Sequence, residues 1–322
     1  MAVTLAEAKN NALEDYDPAV IDEFRKTSAL ADSLIYDDVV NPAGGGATLT
    51  YGYRRTVTQP TAEFRKLNSE YTPQNVTTEK KSVELAVLGG SFEVDRVIAG
   101  VGPANSSAVT FNLQQKIKAS TAAFQDAVIN GDTAENEAAF DGLDKALTGS
   151  TTEMTSTADW TDLSGDSGFK ALDLIDEFLA LLDGTPTAIV GNKKMLARVR
   201  AAVRRTSMYT REPVEDLVGA NGRPIDREVY GGIMFIDAGE KAGTNDEVIP
   251  VAEDGTTDLY AYRVGLDGFH GVTTVGSQLV RTWLPDYTTP GAVKKGEVEL
   301  GPVAVALKAT KAAAVLRGVK VK

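Results

Sequence analysis

All imidazole chemistry in this chain rests on one residue. His270 is its single histidine, and it has no cysteine. A Ser-His-Asp relay would have to pass through His270. Thiolate and multi-histidine metal sites are excluded, as are cysteine nucleophiles and disulfides. His270 lies in Gly265-Leu-Asp-Gly-Phe-His-Gly271, which reads as a glycine-rich turn, so an ordinary turn or surface histidine is expected. Asp254 with Asp258, and Glu135 with Glu137, could attract a hard cation weakly, but neither has the spaced oxygen ligands of a calcium loop. Solvated acidic surface is the expected reading. Ser164-Gly-Asp-Ser-Gly168 reads as a turn and a helix start, not as a strained nucleophile elbow. Gly100 and Gly102 begin a phosphate-loop pattern that Pro103 ends. No catalytic, cofactor-binding or metal-ligating set emerges, and the chain is expected to be no enzyme and to hold no cofactor.

The remaining conspicuous side chains are charged. Lys193, Lys194, Arg198, Arg200, Arg204 and Arg205 form the one strong positive cluster. On a helix Arg198, Arg200, Arg204 and Arg205 spread over more than half the circumference, so the cluster is either a solvated face or a surface that meets acidic groups of a neighbouring subunit. Arg54, Arg55, Glu63, Arg65, Lys66 and Glu70 punctuate a second region, which is predicted to project from the body.

The elements that must position these residues follow from periodicity. Asp17-Pro18 is a helix start, an N-cap followed by proline at the first helical position. Ile21, Phe24, Ser28, Ala31 and Ile35 then repeat at three and four. Gly44, Gly45 and Gly46 follow Pro42 and read as a hinge. A strand is expected over 47–59, then a charged tip, then a return strand from Val76 to Leu88. In that return strand Val83, Leu85 and Val87 alternate with Glu84, Ala86 and Leu88. Gly89 and Gly90 are expected to break it as a second hinge, with another strand over Ser91–Ile98. Each limb would extend about 30–40 Å. A two-stranded hairpin is marginal alone in water, so it must lie on its own domain or on an adjacent subunit. A long helix from Ser106 to Asn130 carries Val109, Leu113, Ile117, Phe124 and Val128 on one face, and Gly131 suits a left-handed cap. After a Thr/Ser-rich boundary at 148–162 come helix 167–183, strand 186–190, a helix opened by Asn192 and a strand at 232–236. Strands at 258–264, 278–284, 297–308 and 312–319 close the chain.

Composition sets the frame. The 322 residues are 43% hydrophobic and 24% charged, which is globular rather than disordered. No apolar run is long enough to span a bilayer, and the first residues lack the pattern of a signal peptide. The net charge of −12 argues against tight binding to a phosphate backbone. An extended arm beside a long stiff helix suits a building block that reaches its neighbours.

In their order along the chain these parts resemble the major capsid proteins of tailed bacteriophages, the Hong Kong ninety-seven type of fold. The quoted features are the arm with its Gly44–Gly46 end, the charged loop, the long helix with its Ile129-Asn-Gly-Asp132 exit and following Phe140-Asp-Gly-Leu143, Tyr230-Gly-Gly-Ile-Met-Phe-Ile236, and the closing Ala312-Ala-Ala-Val-Leu-Arg-Gly-Val319. The resemblance implies an α+β fold with an N-terminal arm over 1–46 and an extended loop over 47–90. It implies a peripheral domain over 91–165, holding the spine helix 106–130, completed by 276–309. It implies an axial domain over 166–275, completed by 310–322. It implies a head protein that forms pentamers and hexamers, located in the virion and assembled in the bacterial cytoplasm. Its partners would be copies of itself, a separate scaffolding protein, a portal, a cement protein, and DNA held without sequence preference. Inter-subunit contacts would fall on Arg54, Arg55, Glu63, Arg65, Lys66, Glu70, Arg204 and Arg205. Some relatives join a loop lysine to an asparagine near the end of the peripheral domain. Lys66, Lys80 and Lys81 supply amines, but 286–300 has no asparagine, so no such cross-link is expected. An encapsulin-type compartment shell shares the fold and is the alternative.

Overall fold

The computed structural model describes residues 29–38, 40, 48–100, 105–164, 166–205, 210–218, 224–244, 246–274 and 279–322. The helix start at Asp17-Pro18, most of the arm, and the Gly44–Gly46 hinge lie outside these residues.

A long helix, α3 (Asn105–Asn130), links two sheets. At about 1.5 Å per residue it is about 39 Å long. Leu113, Ile117, Phe124 and Val128 are buried on one stripe, and Lys118 is exposed on the other side. Between Ile117 and Phe124 the stripe is filled by buried Ser120 and Thr121, and the Thr121 hydroxyl donates to the Ile117 carbonyl at 2.8 Å. That bond satisfies the hydroxyl inside an apolar contact.

The five-stranded sheet is built on β13 (Val293–Leu307). Along one side of it runs β4 (Ala86–Asp95). On the other side lie β12 (Val280–Trp283) and then β11 (Phe269–Thr273), with β1 (Tyr36–Asp37) parallel to β11 at the edge. Phe92 and Val94 of β4 are buried, in one core with the α3 stripe.

Several expectations are corrected here. Gly89 and Gly90 are not a break. They sit in the middle of β4, paired with Glu299 and Val298. A Cβ on Gly89 would strike the Val298 carbonyl, and one on Gly90 would lie 3.3 Å from the stem of Lys116. They are glycines because other atoms approach closely, not because the chain bends. The strand expected over Ser91–Ile98 is the second half of this same strand. It ends at Asp95, whose carboxylate accepts from Val97 N at 2.7 Å and starts α2 (Arg96–Gly100). Val87 does not face inward with Val83 and Leu85; it is 54% exposed. The alternation resets at Leu85, where β3 (Thr78–Glu84) gives way to β4. Opposite Val87, Gly301 and Pro302 bulge out of β13 between the pairs Leu300–Leu88 and Val303–Ala86. Two residues against one turn over the side chains of β13 itself beyond that point. His270 is not in a turn. It lies in β11 with no exposed surface. The strand Phe269–Thr273 therefore pairs with Val293–Leu307 rather than joining the rest of 166–275, because a run of buried side chains needs a two-sided ladder.

The seven-stranded sheet has the order β5-β14-β10-β6-β9-β8-β7, with β5 (Glu153–Thr155), β14 (Ala313–Lys320), β10 (Thr256–Tyr262), β6 (Ala188–Gly191), β9 (Ile233–Asp237), β8 (Pro224–Tyr230) and β7 (Thr210–Val218). Its central strands are buried on both faces. Ala188, Val190, Tyr260, Tyr262, Ala313 and Val315 face the core shared with α3, while Ile189, Leu259, Ala261, Ala314 and Leu316 face the other way. That second face is covered by α5 (Ser167–Leu179) and α6 (Lys193–Arg205), with Leu172, Ile175, Met195 and Val199 against it. Period-two alternation with both sides apolar is the pattern of a covered sheet. Asn192 opens α6 as expected: its Oδ1 accepts from Met195 N at 2.8 Å, and its amide donates to the Ile249 carbonyl at 3.0 Å. The boundary at 148–162 is no plain linker, since Glu153–Thr155 pairs in parallel with β14. The β7–β8 hairpin had no expected counterpart.

Gly131 corrects another expectation. It is not among the residues with positive φ. A Cβ there would strike the Phe140 carbonyl and lie 2.5 Å from that of Ala127, and Gly142 is equally crowded. The helix exit is closed backbone against backbone, with Gly142 N donating to the Gly131 carbonyl at 2.7 Å. Lys145, on α4 (Leu143–Leu147), clamps the same turn. Its Nζ is 2.5 Å from Asp132 Oδ1 and 2.8 Å from Asp141 Oδ1.

Candidate assembly interface

The projecting loop begins as a hairpin of β2 (Thr50–Thr56) and β3, in register from Thr50–Glu84 to Thr56–Thr78. Alternation divides it into two faces. Tyr51, Tyr53 and Arg55 turn toward the body. Tyr51 is buried, the Tyr53 hydroxyl donates to the Leu307 carbonyl at 3.0 Å, and Arg55 donates to the carbonyls of Lys308 and Leu307 at 2.9 and 2.7 Å. Burial pushes the Tyr53 hydroxyl up, against the lowering pull of Arg55. A half-open cavity of about 320 Å³ lies under this root, between Tyr53, Arg55 and Lys81 on one wall and Leu143, Lys145 and Phe269 on the other.

A three-residue chain locks the root. The Tyr51 hydroxyl donates to Asp37 Oδ2 at 2.9 Å and lies 3.3 Å from His270 Nε2. Since that hydroxyl gives its proton to Asp37, Nε2 of His270 is the donor to Tyr51, which leaves Nδ1 as the bare nitrogen. Nδ1 is buried without a hydrogen-bond partner. Desolvation, and next the positive charge of Lys308, lower the His270 pKa. Burial first, and then the bond to Asp37, raise that of Tyr51. The ring is neutral and structural, and it is the only histidine.

Among the described residues, the loop beyond the root touches nothing of its own subunit's core. Every residue from Thr56 to Lys80 is exposed. The limbs are held together by side-chain rungs: Thr58 to Thr77 at 3.0 Å, Gln74 Oε1 accepting from Thr61 N at 2.8 Å, and Glu63 accepting from Thr72 N at 2.7 Å. Arg65 donates to the Ser69 carbonyl at 3.1 Å and lies over the Tyr71 ring. Phe64 and Leu67, at 108% and 91% exposure, have no cover at all. Large apolar side chains held out on an ordered arm mark a contact surface.

The expected contact residues therefore divide. Arg54, Lys66 and Glu70 are exposed on the loop. Arg55, Glu63 and Arg65 are committed within the subunit, to the root or to the rungs. Arg204 is exposed on α6, on the helix layer of the other sheet, and is not brought to the loop; the Arg205 side chain lies outside the described residues. Within the basic cluster, Lys193 pairs with Glu240 at 2.8 Å and Arg198 donates to the Val321 carbonyl at 3.1 Å. Sequence reading missed Phe64 and Leu67 as the exposed anchors, although both were visible as apolar residues inside a charged tip.

Glu135 and Glu137 are exposed, whereas Asp254 and Asp258 have internal roles. Asp254 accepts from Thr256 N at 3.0 Å. Asp258 accepts from Arg317 at 2.8 Å. Arg317 also binds Glu153 at 2.9 Å and Asp144. Burial alone would lower its pKa, and the bonds to Asp258, Asp144 and Glu153 outweigh that and raise it. Among the described residues no group of three or more histidine, cysteine, aspartate or glutamate side chains could hold a metal, and no helix is long and apolar enough to cross a membrane.

No protein-family model matches the sequence, and no curated protein matches it. Solved structures do match in fold. The SrpI encapsulin of Synechococcus elongatus PCC 7942 is 15% identical, with TM-score 0.58 over 96% of this chain and 98% of its own. The capsid of Myoviridae phage XM1 is 12% identical, with TM-score 0.55 over 90% and 91%. The capsid of a native GTA particle is 13% identical, with TM-score 0.57 over 96% and 93%. The fold is the α+β capsid fold of the Hong Kong ninety-seven type, over nearly the whole chain.

Proposed function

We propose that this chain is the major head protein of a tailed phage, forming pentamers and hexamers that close into an icosahedral shell around double-stranded DNA. The carrying observation is the uninterrupted exposed run from Thr56 to Lys80 with Phe64 and Leu67 at its tip. Such an arm gains its burial from a neighbouring copy. In this reading the five-stranded sheet and α3 make the peripheral part, with β11 added to it. The seven-stranded sheet with α5 and α6 makes the axial part, around which the subunits gather. The chain acts by assembly and not by catalysis. The charge of −12 suits a wall that does not hold packaged DNA tightly. A separate scaffold, a portal and a cement protein complete the particle, and stabilisation is non-covalent because 286–300 offers no asparagine.

Negative-stain electron microscopy with light scattering on the full-length chain tests this. Closed shells, pentamers or hexamers support it. A compact monomer that stays monomeric with its neighbouring gene products refutes it.

A compartment shell of the encapsulin type is the second reading, favoured by the likeness to the SrpI encapsulin at TM-score 0.58. Particles that contain DNA support the phage reading, and particles that contain a protein cargo support the compartment.

A further inference from the structure

The half-open cavity under the loop root lies within one subunit, with one wall from the loop hairpin and the other from the body. At about 320 Å³ it falls at the small end of the range for ligand sites. Its floor is apolar. Leu143, Phe269, Val305 and Leu307 belong to the buried core, and Val83 of β3 packs against that core. An apolar floor with a few polar groups at its rim is the usual make-up of a small-molecule site.

The charges of the rim cancel on the body side. Lys145 spends all three of its donors, on Asp132, Thr133 and Asp141 at 2.5, 3.0 and 2.8 Å. On the hairpin side two cations meet one carboxylate. Lys81 stands opposite Tyr53, and Glu79 opposite Arg55, so Arg55 and Lys81 are diagonal neighbours on one face, about 7–8 Å apart. Glu79 turns to Lys81, 2.7 Å away, and both side chains of this pair are well exposed, which makes it a weak one. Arg55 spends Nε and Nη2 on the carbonyls of Lys308 and Leu307. Among the described residues its Nη1 has no hydrogen-bond partner, and no carboxylate closes an ion pair with it. A partly buried guanidinium that meets only carbonyls keeps an uncompensated charge at the cavity rim.

We propose that this cavity binds a small organic monoanion, a carboxylate carried on an apolar chain or ring. The carboxylate sits between Arg55 Nη1 and Lys81 Nζ, and the apolar part lies against Phe269, Val305 and Leu307. With Nε and Nη2 already spent, Arg55 does not offer the two-pronged edge that a phosphate dianion takes best, and one net positive charge matches one negative. One wall belongs to the loop and the other to the body, so the ligand is a wedge that ties the loop root to the sheet. The site is complete within one subunit and does not depend on which kind of shell the chain forms.

Isothermal titration calorimetry of the full-length chain with octanoate, octanol and octylammonium tests this. Octanoate is expected to bind at one site per chain, about tenfold or more tighter than either of the others, since a charge-assisted hydrogen bond separates them. Lys81→Met removes one cation and frees Glu79 to face Arg55, which cancels the rim charge. It is expected to weaken octanoate about tenfold with an unchanged melting temperature, because the pair it breaks is exposed. Glu79→Gln is expected to tighten octanoate. Ala146→Trp, at an exposed lining position, displaces nothing from the core and is expected to abolish binding by filling the mouth. Bound octanoate is also expected to slow amide hydrogen exchange along β2 and β3. Absence of octanoate binding overturns the site, as does octanol binding equally well or an affinity that ignores Lys81→Met and Glu79→Gln. Binding that survives Ala146→Trp places the ligand elsewhere and overturns it too, and binding without slower exchange in β2 and β3 overturns the wedge. Each outcome is read on single subunits and leaves the shell reading untouched.

Discussion

His270 Nε2 lies 3.3 Å from the Tyr51 hydroxyl, and their rings meet edge to face at 5.8 Å between centroids. The two residues are joined across the root of the loop, one on β11 inside the sheet and the other on β2. Tyr51 in turn donates to Asp37, so strand β1, the loop and the sheet share one polar contact. A neutral imidazole suits it. A second proton would go to the buried Nδ1, where desolvation and the nearby Lys308 oppose it.

Stability should therefore fall with acid in a defined window. The folded pKa of His270 is lowered, so the unfolded chain takes up a proton first. The stabilisation is complete above the unfolded value, about 6.5, and is lost as pH drops toward the folded value, with a limiting slope of about 1.4 kcal/mol per pH unit. Carboxylates with lowered values, such as Glu153 and Asp159, act only near and below pH 4. Denaturant midpoints between pH 7.5 and 5 should decline for wild type. They should stay level for His270→Gln, which keeps a donor to Tyr51 and binds no proton. Parallel curves would show that His270 is not the titrating group.

Arg317 holds three carboxylates, Asp144, Glu153 and Asp258, on three separate segments. Arg317→Met removes the cation and leaves a partly buried acidic cluster. It should cost about 2–4 kcal/mol, somewhat below the value for a fully buried pair because the site is partly wet. Urea unfolding at neutral pH measures it. The loss should shrink in acid, where Glu153, held low by the Gly149 amide and then by Arg317, takes up its proton.

Gly131→Ala places a methyl group against the Ala127 and Phe140 carbonyls. The helix exit cannot yield without breaking the bond from Gly142 N to Gly131 O. A loss of about 1–3 kcal/mol is expected. Gly149→Ala is the control. A Cβ there meets nothing within 4 Å, and only its φ of 72° resists, so a cost of about 1 kcal/mol is expected.

Phe64→Ser and Leu67→Ser change side chains without cover. Subunit stability should move by less than about 0.5 kcal/mol. Assembly, read by light scattering, should fall at least tenfold in the double variant. A melting temperature that drops while assembly is unchanged would place these residues in the subunit's own core instead.

Much of the fold was legible because it is written in local periodicity. The α3 stripe, the Asn192 cap and the apolar strands of the second sheet each depend on neighbours a few residues away. Gly89 and Gly90 were not legible in the same way. Glycine signals freedom in a sequence, yet here it answers to the Val298 carbonyl and the Lys116 stem, which are remote in sequence. His270 misled for a similar reason: flanking glycines suggested a turn, whereas Gly271 is small because the Tyr36 ring lies on it. Of the candidate contact residues, sequence gave the loop but could not separate Arg54 from Arg55. They are adjacent and identical, and only the pleat turns one to solvent and the other onto the carbonyls of Leu307 and Lys308.

The chain's composition and spacing by themselves determined that chemistry by histidine clusters or thiols is absent, that a long amphipathic helix follows a charged projecting loop, and that alternating helices and strands come after it. Those properties depend on residue type and on short-range repeats. Tertiary structure alone decided that β11 joins the five-stranded sheet, that the break at Leu85 between β3 and β4 leaves Val87 facing outward, and that Phe64 and Leu67 find no cover among the described residues of their own subunit. Each of these depends on which distant segments come together. That is set by burial and hydrogen-bond pairing over the whole chain, not by any local pattern.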